Sequence, residues 1–374
     1  MKDSILVNGA PLTRQDFLRT IPEFGIMPFW FVNGGMDYDE MEYQLREYKN
    51  KGIPGIFFHA RFGILNTIGY LTKDWFDRVR FTVEKAREIG LQIWIYDEYN
   101  WPSGTAGQQL MKEHPQLTQR YLEMVEGDVP GQLFVFMEGT DSRYTDLEQS
   151  EPVYCCAILK KDLEEKRFEY VDLMPNLAFD KVITWESPRG PWRTCYFIER
   201  QASWYADVLN PETTQTFLSM VHEQYKQAMG GSLEGQLHGF YTDEPAMHYF
   251  EVARNNFIIP WSSDMFAIFK RRRGYDLKPQ LPKLFYDFGG DTAQVRYDFW
   301  SCLSDQYEEN YYQAIQEWCH ENGTVFTGHL LFEEVIRLHA RTGGNLFHMM
   351  RHFDIVGVDH LYPRVGTREM MDEH

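Results

Sequence analysis

Six short apolar runs punctuate this chain, and each leads into polar or aromatic residues: Gly25–Asn33, Ile53–Arg61, Leu91–Asp97, His238–Asp243, Thr324–Leu331 and Asp354–Leu361. None is long enough for an independent helix, and continuous apolar character is what a strand covered on both faces requires. Helical patterns stand between the runs. Met41, Leu45 and Tyr48 recur at helical spacing within Asp39–Lys51, and Lys73–Ile89 follows the second run. Asn210 and Pro211 read as the N-cap and first-turn residue of a helix reaching about Met229. Further helices are predicted near Ser263–Arg273 and Ala293–Asn322. Strand, loop, helix, strand, repeated, specifies an α/β fold with parallel strands.

The rhythm breaks in the middle. Gln132–Met137, Val153–Leu159, Arg167–Asp172, Lys181–Trp185 and Thr194–Glu199 are short segments, and turn-rich pieces such as Ser187–Pro191 separate them. They predict an antiparallel β insertion over residues 128–200, after the third strand. The rest of the 374 residues suits a (β/α)8 TIM-type barrel of which six repeats are visible. Residues 1–374 are therefore expected to form one barrel domain, cut short at its C-terminal end, with the β-rich insertion inside it. The rival is a doubly wound open sheet, but no GxGxxG follows any strand.

Charge narrows the partners. Against 37 Lys+Arg stand 55 Asp+Glu, a net charge of −18, which repels nucleic-acid phosphates. No apolar run approaches the roughly 18 residues of a membrane span. The N-terminus lacks the apolar core of a signal peptide, so a cytoplasmic location is expected as given, or a periplasmic or secreted one if the N-terminus was trimmed. The five cysteines form no CxxC pair, which argues against a zinc cluster and against a disulfide framework. Aromatic residues reach 16%, enough for sugar-stacking platforms or for an aromatic-rich core.

A barrel of this kind collects its chemistry at the C-terminal strand ends. Those ends supply Trp30 and Asn33; His59 and Arg61; Asp97, Glu98, Asn100 and Trp101; Asp243 and Glu244; His329, Glu333 and Glu334; and Asp359 and His360. Carboxylates, histidines, amides and aromatics together suit carbohydrate chemistry, in which two carboxyl groups flank a glycosidic bond. Glu244 follows an apolar strand and precedes Pro245, a setting that raises a carboxyl pKa and suits a general acid. Glu333 and Glu334 are the candidates for the second carboxylate, with Glu334 preferred. Asp97 and Glu98 are expected to bind hydroxyls or orient catalytic groups. Trp101 is a candidate platform, Trp30 a platform or core residue, and Arg61 a substrate ligand or half of a salt bridge. No HxH or HExxH motif marks a metal site.

Several pieces resemble the α-L-rhamnosidase-like glycoside hydrolases, family 106 and its relatives. They are Pro28–Gly34, Tyr96–Glu98 with Asn100–Gly107, Phe240–Pro245, Arg273–Leu277, Thr327–Leu330 with Glu333 and Glu334, and Gly357–Leu361. The resemblance implies a (β/α)8 catalytic domain that hydrolyses a glycosidic bond of an oligosaccharide or polysaccharide with inversion. It puts the general acid at Glu244 and the base at Glu333 or Glu334. It admits calcium as a cofactor, though no motif identifies a cage, and it implies C-terminal β-rich domains beyond the barrel. Two alternatives stand beside it: a retaining, β-galactosidase-like hydrolase with its nucleophile on a later strand, and a carbohydrate-binding fragment without turnover.

Overall fold

The computed structural model describes residues 6–7, 10–11, 13–15, 25–129, 132–137, 152–178, 182–248 and 257–359. In chain order, β1 (Phe29–Val32), α1 (Tyr38–Asn50), β2 (Gly55–Ala60), α2 (Lys73–Ile89) and β3 (Gln92–Tyr99) make two consecutive βαβ units. Local chemistry sets the helix ends. The Asp37 carboxylate accepts from the Asp39 and Glu40 N–H groups at the start of α1, and Thr72 does the same for Trp75 at the start of α2. Gly90 closes α2 in the left-handed conformation that glycine adopts without strain.

An antiparallel region follows: β4 (Thr118–Val129), β5 (Gln132–Met137), β6 (Pro152–Leu159), β7 (Val171–Asp172), β8 (Val182–Ser187) and β9 (Trp192–Ala206). The α/β pattern then resumes with α3 (Pro211–Met220), α4 (His222–Ala228) and β10 (Gly239–Asp243). Next come β11 (Ile258–Trp261), α5 (Met265–Arg273) and α6 (Thr292–Tyr307), which runs through a π-helical turn (Glu308–Gln313) into α7 (Ala314–Glu321). The described part ends with β12 (Val325–His329), α8 (Ile336–Thr342), α9 (Leu346–Met350) and β13 (Ile355–Val356).

The central sheet has six parallel strands in the order β1-β2-β3-β10-β12-β13. Each new strand joins on the same side, whereas a doubly wound sheet reverses direction midway. The doubly wound rival is thereby excluded. The barrel was expected to be incomplete, and no closed barrel is seen: β1 and β13 do not pair, and among the described residues the sheet is open. Six strands do not complete the circle, so Phe31 on one edge and Ile355 and Val356 on the other stay exposed.

The antiparallel strands are more extensive than residues 128–200. They start at Thr118, end at Ala206 and take in β11, giving a five-stranded sheet ordered β11-β4-β9-β6-β7. β5 and β8 form a separate pair. The predicted helix from Asn210 breaks at Val221 into α3 and α4. No helix among the described residues is long and apolar enough to cross a membrane.

The inner face of the central sheet is paved with aromatic rings. Tyr241 meets Phe29 and Phe57 edge-on, each at 5.1 Å between centroids, and stacks beside Tyr96 at 5.8 Å. Part of the aromatic excess of the sequence is therefore a floor beneath the strand ends. Two glycines let the strands approach. A Cβ at Gly239 would lie 2.5 Å from the Trp94 ring, and one at Gly328 would lie 2.2 Å from the Thr242 carbonyl oxygen.

Candidate active site

The candidate site forms where β10 and β12 end side by side. Asp243 and His329 are direct partners in that pairing. The absence of a side chain at Gly328 permits it. Glu244 follows Asp243 with φ of +47°, a left-handed backbone that is strained for a residue with a side chain. The turn sends the two neighbouring carboxyls to different partners.

Asp243 is held from several sides. Its Oδ1 lies 2.6 Å from His329 Nε2, and its Oδ2 accepts from the Tyr96 hydroxyl. Its backbone is clasped by Ser103: the Ser103 N–H donates to the Asp243 carbonyl at 2.9 Å, and the Asp243 N–H donates to Ser103 Oγ at 2.8 Å. Ser103 Oγ in turn donates to Asp97 Oδ1 at 2.5 Å. Asp97 is fully buried, and burial pushes its carboxyl well above the usual range against the pull of the Ser103 bond. Of its two expected roles, the geometry leaves the orienting one.

His329 sits between two carboxylates, with Nδ1 3.0 Å from Glu333 Oε1. Burial works against a charged imidazole. The hydrogen bonds and charges of Asp243 and Glu333 outweigh it and push the pKa up to about 11. His329 is therefore an imidazolium at neutral pH, donating from both nitrogens. Glu333 Oε1 also accepts the Asp359 N–H at 2.8 Å, while Oε2 is buried with no partner. Glu334 is half-buried and makes no hydrogen bond or ion pair among the described residues. Of the two adjacent glutamates, Glu333 joins the cluster through His329, four residues before it, and the preferred Glu334 makes no such contact.

Glu244 accepts a 2.6 Å bond from the Trp101 indole N–H. Burial raises its pKa, His329 and Trp101 lower it, and Asp243 and Glu333 raise it; the net is about 8. At neutral pH this carboxyl carries a proton. A Glu244 oxygen, a His329 nitrogen and an Asp359 oxygen all lie within 4.8 Å of one another.

Glu98, like Asp97, is placed for the orienting one of its two expected roles. It is fully buried and accepts from the N–H groups of Tyr99, Thr105, Ala106 and Gly107 and from the Thr105 hydroxyl, at 2.5–3.1 Å. Burial raises its pKa to about 7 despite these donors. No face remains for a sugar, so Glu98 organises the loop that carries Trp101 and Ser103. Glu98→Ala strands the buried N–H groups of Thr105 and Ala106 and the half-buried ones of Tyr99 and Gly107. Because each such group costs about 1–3 kcal/mol, a loss of at least about 3 kcal/mol is expected, read as a lower urea midpoint with unchanged slope.

Trp30 belongs to the core. Strand alternation turns it away from Phe29 and Phe31, and its indole donates to Gln44 Oε1 at 2.7 Å on α1. Asn33 is exposed at the end of β1, where its amide donates to the Phe31 carbonyl at 3.3 Å. His59 is buried, stacks on Tyr96 at 3.3 Å between centroids and sits 2.8 Å from the Asn100 carbonyl oxygen. Burial lowers its pKa to about 4. Asn100 thus meets His59 through its backbone. The Arg61 guanidinium lies 4.9 Å over the Phe31 ring and, among the described residues, has no salt-bridge partner. Trp101 is 38% exposed, and its indole N–H holds Glu244. Asp359 is brought in, and His360 lies outside the described residues.

Tyr96 and Ser103 were not among the sequence candidates. Ser103 acts through backbone contacts that no residue pattern marks.

Calcium can be tested against the Glu244, His329 and Asp359 trio. Calcium takes about 6–8 oxygen ligands, whereas this trio supplies two carboxylates around an imidazolium whose nitrogens are already engaged. The other trio, Asp305, Glu308 and His348, is occupied by Arg273 on Asp305 and by Arg351 and His352 on Glu308. Neither fits calcium.

A family profile described as alpha-L-rhamnosidase matches residues 154–356, more than half of the chain. The "Putative beta-glucuronidase" of Formosa agariphila is 21% identical over 311 residues, covering 70% of this chain and 25% of that protein. A rhamnosidase structure from Novosphingobium sp. PP1Y superposes with a TM-score of 0.59 and 15% identity, over 91% of this chain and 48% of that one. A beta-galactosidase from Halorubrum lacusprofundi gives 0.45 and 11% identity, over 88% of this chain and 39% of that one. The chain thus spans a quarter to about half the length of these proteins. With the profile covering β6 through β13, the chain belongs to the alpha-L-rhamnosidase family of glycoside hydrolases.

Proposed function

We propose that this chain carries the catalytic centre of an α-L-rhamnoside hydrolase acting with inversion, on the first six strands of a (β/α)8 barrel whose later strands and further domains lie outside the chain. The observation that carries the reading is Glu244, a carboxyl whose pKa burial raises to about 8, in one cluster with Glu333, one of whose oxygens is buried without a partner. Glu244 donates its proton to the leaving oxygen. Glu333 Oε2, the oxygen with no partner, accepts a proton from the attacking water. His329 bonds to both Asp243 and Glu333 and so orients Glu333 beside a developing oxocarbenium ion. Trp101 positions Glu244 through its indole N–H.

An inverting pair needs about 6.5–9.5 Å between carboxyl groups to admit water. The test is product stereochemistry. Proton NMR of the first turnovers, with the full-length protein and an aryl α-L-rhamnoside among a panel of aryl glycosides, should show the β-anomer appearing first. Direct formation of the α-anomer sinks inversion.

A second reading has a specific support. Asp359 comes within 4.8 Å of Glu244, closer than a water-bearing pair allows. In that reading Asp359 is the nucleophile and stereochemistry is retained, so the same NMR trace separates the two.

A further inference from the structure

A second cleft, of about 410 Å³, opens between β4, the start of α3, α5 and the π-helical turn. It shares no lining residue with the Glu244 cluster. Its volume falls in the roughly 300–1,000 Å³ range of small-molecule sites, yet no aromatic side chain lines it. Flat aromatic ligands therefore find no stacking surface there.

The lining holds polar groups that the fold leaves unmet. Gln306 is 3% exposed, and its Oε1 is buried without a partner. Arg272 spends its terminal nitrogens on Glu309 at 2.6 and 3.0 Å, while its Nε is buried without a partner. Asp207, 4% exposed, receives a single long bond from the Leu209 N–H at 3.2 Å. Arg271 lines the cleft with no ion pair among the described residues. One orphan is an acceptor and the other a donor. A fully deprotonated anion such as sulfate accepts but cannot donate, so it leaves Gln306 Oε1 unmet. A hydroxyl does both.

We propose that this cleft is a second binding site, for one neutral sugar unit or a similarly compact polyol, with a hydroxyl donating to Gln306 Oε1 and accepting from Arg272 Nε. Adjacent hydroxyls reach Asp207 and Arg271. The site does not depend on the catalytic reading, and it would hold a glycan chain at a point away from the bond being cut.

The test is a crystal soak with L-rhamnose, D-galactose or D-glucose, and in parallel with sodium sulfate. Any of the three sugars in the cleft with a hydroxyl between Gln306 and Arg272 supports the proposal. Ordered water alone, sulfate in preference to sugar, or sugar only beside Glu244 overturns it. In solution, titration of the same sugars against the Asn310 side-chain amide resonances should give a Kd that Gln306→Leu raises at least tenfold. Arg271→Ala, on an exposed residue, gives a second reading if the first variant folds poorly. Resonances around Glu244 should titrate unchanged in both variants, and equal weakening at both sites overturns the proposal. Loss of hydrolytic activity would bear on the catalytic reading and leave the cleft titration intact.

Discussion

Glu244→Gln is expected to lower turnover of a glycoside with a poor leaving group by about 10²–10⁴-fold, the usual worth of a positioned general acid. The amide keeps the size of the side chain and can still accept from Trp101, so the loss isolates the proton. A dinitrophenyl leaving group needs no protonation, and there the deficit should shrink to less than about tenfold. Acidity gives a second signature. The carboxyl pKa is raised from 4.5 to about 8, so the proton is present throughout the neutral range and is lost as pH rises through about 8. The rate with the poor leaving group should fall about tenfold per pH unit above that point, and the limb should vanish in Glu244→Gln. Equal activity of wild type and variant on both substrates would remove Glu244 from the mechanism.

Glu333→Ala is expected to cost about 10²–10⁴-fold in turnover, with part of it regained in sodium azide. Azide enters the space left by the carboxylate and attacks without needing a base, so a glycosyl azide should form. Glu333→Gln, which can still accept from His329 and the Asp359 N–H, should show the same loss with less disturbance of the fold. Glu334→Gln should stay within about threefold of wild type. Because Glu333 is one of the groups holding the His329 pKa high, its removal should also lower that pKa, readable from the ring C–H shifts of His329. An inactive Glu334→Gln beside an active Glu333→Gln would reverse the assignment.

The strand-and-helix rhythm was legible because each element's own residues decide it. α2 runs from Lys73 to Ile89 as its apolar spacing and flanking Thr72 and Gly90 require. β4 was missed because its stabilising partners are far away in sequence. Its charged residues Arg120, Glu123, Glu126 and Asp128 make a strand look like a solvated segment until β9 supplies Glu199, Arg200 and Arg193 opposite them. The site shows the same division. That Glu244 would be a dehydrated carboxyl followed from its apolar strand and Pro245. Which of two adjacent glutamates would reach it did not, because the difference is one step of chain direction after β12. In the sequence Trp30 and Glu98 keep two roles each, for a related reason. Residue type announces chemistry, while alternation and loop closure decide which way the group points, and only the second is a property of the fold.

The loop gathered around Glu98 has a practical consequence. One buried carboxylate closes the turn at residues 105–107, and the same turn delivers Trp101 to Glu244 and Ser103 to the backbone of Asp243. A change made there to accommodate a different sugar would alter the acid and the His329 partner together. Retargeting of specificity is better directed at Phe31 and Arg61, across the rim, where the side chains have no duties toward the proton-carrying groups. Library designs that randomise residues 98–107 should be rich in inactive members, and those that randomise 31 and 61 should be rich in folded, catalytically intact ones.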